Sequence, residues 1–132
     1  MSEHQYINPE GMSQPKAYTH VVVASGNRTV YISGQVSLNA LDEVVGVGEL
    51  KAQTEQVFLN LQIALASVSA TFADVVKLNY YLLDMSQIQL VREVRMRYVQ
   101  ADRLPASTAV EVRRLAHEDF LIEIEAVAVL KD

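Results

Sequence analysis

A chain of 132 residues, 50% hydrophobic and 20% charged, has the size and composition of one globular domain, which argues against a fibrous repeat, a disordered tail or a two-domain enzyme. It contains no cysteine, so a disulfide framework, a thiol nucleophile and a thiolate metal site are all excluded. Eleven Lys and Arg against sixteen Asp and Glu give a net charge of -5, a field that repels phosphate backbones and anionic lipid, so neither nucleic acid nor membrane is an expected partner.

About residues 1–16 read as a polar lead with no basic and apolar leader pattern, and nowhere do about 18 apolar residues follow one another; a cytoplasmic address is the expectation. Two β-branched runs, Tyr18 to Ala24 and Thr29 to Val36, flank Ser25-Gly26-Asn27-Arg28, a sequence suited to a tight reversal, and predict a hairpin. Residues 37–48 read as a loop with a short strand at Glu43 to Val45. From Glu49 the apolar spacing becomes helical, with Leu50, Val57, Leu61, Ala64, Leu65 and Val68 on one stripe. Glu49 and Glu55 suit the positive end of that helix.

Asp74 to Leu83 predicts a strand with Val76, Leu78, Tyr80 and Leu82 on one face and Lys77 and Asn79 on the other. Asp84-Met85-Ser86 opens a second helix. Its inner stripe is Ile88, Val91, Val94 or Arg95, and Tyr98, and it ends before Pro105. Strands at 106–114 and 121–130 follow, joined by His117-Glu118-Asp119. In the last strand Ile122, Ile124, Ala126, Ala128 and Leu130 face one way, and Leu121, Glu123, Glu125, Val127 and Val129 the other.

The order ββαβαββ predicts a single α+β domain, a sheet with two helices on one face. The other face carries Tyr31, Tyr81, Val127 and Val129, and another copy of the chain is expected to cover it.

No metalloprotease, P-loop, dinucleotide or nucleophile-elbow motif is present. Arg92, Arg95, Arg97 and Arg103 alternate with Glu93 and Asp102 and read as a solvated helix face rather than a basic patch. His4 lies in the lead and His117 in a polar turn; His20 shares a strand face with Tyr18 and is the one histidine placed to reach a pocket. Glu123 and Glu125 share a strand face among apolar residues. Either they are exposed or paired with Arg113 or Arg114 on a neighbouring strand, or one is a general acid or base. The glycine of Ser33-Gly34-Gln35 marks either a bulge or a place where a ligand approaches the backbone.

The strings Ser33-Gly34-Gln35, Gln53-Thr54-Glu55-Gln56-Val57 with Asn60-Leu61, Asp74-Val75-Val76-Lys77, Val110-Glu111-Val112 and Glu123-Ile124-Glu125, in this order from about Tyr18 to Val129, resemble the RidA (YjgF) family of imine and enamine deaminases. The resemblance implies a chorismate-mutase-like fold assembled as a homotrimer around a central barrel, with a small-molecule ligand in a cleft between subunits. It implies hydrolysis of 2-imino or 2-enamino acids to 2-keto acids and ammonia with no cofactor and no metal. An Arg clamps the substrate carboxylate, and a Tyr and a Glu order the water. Tyr18 and Glu123 match the catalytic pair, while Ser33, Gly34, Ser107, Thr108 and Ala109 match substrate-binding positions, with Ser107 and Thr108 as hydrogen-bond donors.

The Arg does not carry over, because the family pattern Pro-Ala-Arg-Ser is replaced by Pro105-Ala106-Ser107-Thr108. Arg113, six residues along at ~3.3 Å each, lies roughly 20 Å from Ser107 and cannot substitute within one subunit; a neighbouring subunit's Arg is the remaining source. Loss of a bidentate carboxylate contact costs on the order of 1.5–3 kcal/mol, so weak or absent hydrolysis of 2-iminopropanoate is expected. Two functional readings stand: a hydrolase for an imine or enamine without a single well-placed carboxylate, and a non-catalytic trimeric module that binds a small ligand. A ribonuclease reading is disfavoured by the acidic charge and the lack of a catalytic histidine pair.

Overall fold

The computed structural model describes residues 3–132. Eight principal elements follow in order: β1 (Gln5–Ile7), β2 (Val21–Val23), β3 (Arg28–Gln35), α1 (Leu50–Ala66), β4 (Val75–Leu82), α2 (Ile88–Arg95), β5 (Ala106–Glu111) and β6 (Ile122–Leu130). The main sheet has the order β3-β6-β4-β5; β4 and β5 run parallel and the other pairs antiparallel. Parallel neighbours need a crossover, and α2 supplies it. Both helices cover one face, so the expected α+β architecture is present.

The core lies between helices and sheet. Val57, Phe58, Leu61 and Leu65 of α1 and Val91 and Val94 of α2 are sealed against Leu78, Leu82, Ile122, Ile124, Ala126 and Ala128. Phe58 stacks on Tyr98 at 5.2 Å between ring centroids, with Phe72 on both, so the turn after α2 is pinned to α1. The predicted inner faces of α1 and β6 are therefore correct. On β4 the inner residue near the start is Val75 rather than Val76, because the ladder with β6 slips between Val75 and Lys77 and turns the alternation over by one.

The predicted hairpin does not form. β2 pairs with β1, which lies inside the stretch read as a lead, and β3 pairs with β6. The reversal is spent on β6 instead: the Asn27 N–H donates to the Leu130 carbonyl at 2.9 Å, and Gly26 lies so close to it that a Cβ would overlap that oxygen. His4 is correspondingly buried and its Nδ1 accepts from the Ser25 N–H at 3.1 Å. The strand expected at Glu43 to Val45 shrinks to one bridge between Leu38 and Val44. Glu55 is not in the first turn of α1 but pairs with Arg97.

Gln53 is fully buried and ties three segments together. Its amide nitrogen donates to the carbonyls of Gly46 at 3.1 Å and Asp119 at 2.8 Å, and its oxygen accepts from the Leu121 N–H at 2.9 Å. Gln53→Leu fills the volume but orphans these backbone groups, so it should destabilise the chain by on the order of 2–3 kcal/mol in urea unfolding. Half-buried Gln56→Leu should cost less.

Candidate active site

The segment before β2 is held from both sides of Tyr18. The Arg95 Nη1 donates to the Ala17 carbonyl at 2.6 Å, and Thr19 donates from its hydroxyl to the Leu104 carbonyl at 2.5 Å and from its N–H to the Pro105 carbonyl at 3.2 Å. Tyr18 is thereby fixed over the start of β5, where it, Tyr80, Arg92, Arg95, Ser107 and Ala109 line a cavity of ≈ 200 Å³ with Ile88 and Val91 as its apolar wall. Burial pushes the Tyr80 phenol up to about 12 against the pull of the Arg95 guanidinium, so it stays a hydrogen-bond donor across the physiological range.

His20 is not in the cavity and, like Tyr18, is not on a strand. Its ring packs edge-on to Tyr18 at 5.4 Å, and its Nε2 donates to the Ser13 carbonyl at 2.8 Å, so it supports Tyr18 from behind. Thr108 also points away from Ser107, because successive strand residues alternate, and it accepts from Lys77 Nζ at 3.0 Å on the opposite face.

A second constellation occupies that opposite face. The β3–β6 ladder slips between Ile32 and Gln35, so Ser33 and Gly34 form a bulge. The close approach read from Gly34 is there as well, but within the chain: a Cβ at position 34 would overlap the Glu123 carboxylate. Exposed Ser33 follows the same bulge. Asn60 and Gln56 hold the next loop, Asn60 Nδ2 donating to the carbonyls of Val36 at 3.2 Å and Leu38 at 2.9 Å, which explains why these amides accompany Ser33-Gly34-Gln35.

Glu123 and Glu125 separate clearly. Glu125 accepts from the Tyr81 hydroxyl at 2.6 Å and from Asn79 Nδ2 at 3.0 Å, and these bonds, the tyrosine's first, hold its carboxyl below the usual range. The Glu123 carboxylate has no hydrogen-bond or ion-pair partner among the described residues. Neither pairs with Arg113 or Arg114, since β4 lies between β5 and β6 and both arginines fall beyond the end of β5. A group whose folded pKa is lowered stabilises above its unfolded pKa, and that contribution is lost as pH falls through the folded value. Tyr81→Phe should thus raise the Glu125 pKa and shift acid unfolding to higher pH, as a carboxyl NMR titration with a fluorescence melt would show.

The predicted site residues thus fall into two groups within one chain: Tyr18, Ser107 and Ala109 with the α2 arginines on the helix side of the β5 edge, and Gly34 with Glu123 on the other face, Glu123 two strand spacings or ~10 Å across the sheet from β5. The sequence left Arg95 between the inner stripe and a solvated face and read Arg92 as solvated, whereas the structure brings both to this cavity. Arg95 is 9% exposed rather than solvated, and its signal was the inner stripe itself, since it follows Ile88 by seven residues.

Two helices over one face of a four-stranded sheet define a small α+β domain. The family model described as Endoribonuclease L-PSP matches residues 11–130, and the chain belongs to this family, the RidA (YjgF) family. A Yersinia pestis protein of the conserved Rid family superposes with a TM-score of 0.87 at 39% identity over 96% of this chain and 98% of its own. The 3-aminoacrylate deaminase RutC of Acinetobacter baylyi is 32% identical over 94% of this chain and 96% of its own length. The 2-iminobutanoate/2-iminopropanoate deaminase of Rattus norvegicus is 33% identical over 86% of this chain and 80% of its own.

Proposed function

We propose that the protein hydrolyses a reactive imine or enamine in a cleft formed when the Tyr18–Ser107 edge of one subunit meets the Gly34–Glu123 face of another, in a homotrimer. The observation that carries this reading is the unpartnered Glu123 carboxylate beside Gly34, in a chain related to two deaminases. Glu123 takes a proton from water as it adds to the C=N carbon and returns it to the nitrogen, and the hydroxyl proton of the resulting carbinolamine follows to the amine as the C–N bond breaks, so that ammonia leaves as the carbonyl forms. Tyr18 orders the water, and Ser33, Gly34, Ser107 and Ala109 shape the substrate site. On the outer sheet face Val129 is already buried within the chain, and the support for the assembly is Tyr31, 80% exposed there.

Ser107 cannot clamp a carboxylate bidentately, so 2-iminopropanoate should be turned over roughly ten- to a hundredfold less efficiently than by a family member with Arg at this position. The test is a pH profile of ammonia release from a panel of freshly generated imines, with Glu123→Gln as control. Turnover of at least one imine, lost in the variant, supports the hydrolase. A dead panel with saturable ligand stabilisation in thermal shift favours the non-catalytic binding module.

A further inference from the structure

We propose that α2 provides this cavity with its own anion site, Arg95 with Arg92, for a small organic carboxylate, on the helix wall and so not at the position where Ser107 leaves the strand wall without a clamp. Arg95 is 9% exposed, and of the five donors of its guanidinium the Nη1 is engaged by the Ala17 carbonyl while the buried Nε has no partner. The guanidinium also meets the Tyr80 hydroxyl. A strap to two neutral oxygens would not need a permanent charge, and a buried charge without a counter-ion is expensive. No Asp or Glu lines the cavity, and neither Arg92 nor Arg95 forms an ion pair among the described residues.

Arg92 lies three residues before Arg95, on the same helix face and the same cavity wall, so the two cations repel each other unless an anion sits between them. The remaining polar groups are the hydroxyls of Tyr80, Tyr18 and Ser107, and the phenol of Tyr80 stays protonated. Donors and cations without a carboxylate select an anion, and a cavity of ≈ 200 Å³ selects a small one over a nucleotide. The planar fork of Arg suits a carboxylate. As a statement about substrate the inference rests on the hydrolase reading; as a statement about binding it does not.

The experiment is calorimetric titration of the full chain with 2-oxobutanoate and with its uncharged methyl ester. The acid should bind saturably, more weakly as salt is raised, and the ester should not. Arg92→Gln, at a half-buried position away from the Ala17 strap, should weaken acid binding about tenfold with an unchanged melting temperature, and Arg95→Lys by at least as much. Arg97→Gln, which removes only the exposed pair with Glu55, should bind as wild type. Equal binding of acid and ester, or wild-type affinity in Arg92→Gln, overturns the site. Acid binding with a dead imine panel overturns the hydrolase and leaves the site standing; imine turnover without acid binding does the reverse.

Discussion

Replacing Glu123 with Gln should lower turnover of a responsive imine by about 10²–10⁴-fold with little change in unfolding midpoint, whereas Glu125→Gln should leave turnover within a few-fold and lower stability. The asymmetry follows from what each carboxylate touches. Glu125 already receives two hydrogen bonds, from Tyr81 and Asn79, and an amide there must turn its NH₂ toward one of those donors. Glu123 has no hydrogen-bond or ion-pair partner among the described residues to lose. The amide at 123 keeps the shape beside Gly34 but cannot take a proton. Steady-state ammonia release, with urea unfolding of the same samples, separates the two effects, and full activity in Glu123→Gln would end the hydrolase reading.

That distinction was only half legible in the sequence. Alternation placed both glutamates on one face of β6, but which was satisfied depended on Tyr81 and Asn79 coming from β4, a pairing across more than forty residues. Local patterns did better where burial is decided within one element: the stripes of α1 and β6 translate directly into the core. They did worse where pairing is chosen between distant segments. Val21–Val23 is as good a strand beside Gln5–Ile7 as beside Thr29, and a turn sequence at Ser25-Gly26-Asn27-Arg28 does not say which partner its groups will bond. Arg95 shows the same limit in the site. Charge alternation suggested solvent, while its position seven residues after Ile88 pointed inward, and the carbonyl of Ala17 decided between them.

Two glycine substitutions should separate the fold from the site. At Gly26 an added Cβ meets the Leu130 backbone carbonyl, which is fixed in the β3–β6 ladder and cannot yield, so Gly26→Ala should cost about 1–3 kcal/mol of stability. At Gly34 the Cβ meets the far end of the Glu123 side chain, which is half-exposed and can swing away. Gly34→Ala should therefore fold with a smaller loss of stability yet lose activity nearly as completely as Glu123→Gln, because the carboxylate is displaced from its position against the bulge. The double variant Gly34→Ala, Glu123→Gln should be scarcely worse than either single one, since both remove the same group from the same place. Wild-type turnover in Gly34→Ala, or losses that multiply in the double variant, would show that Gly34 does not act by making room for the Glu123 carboxylate.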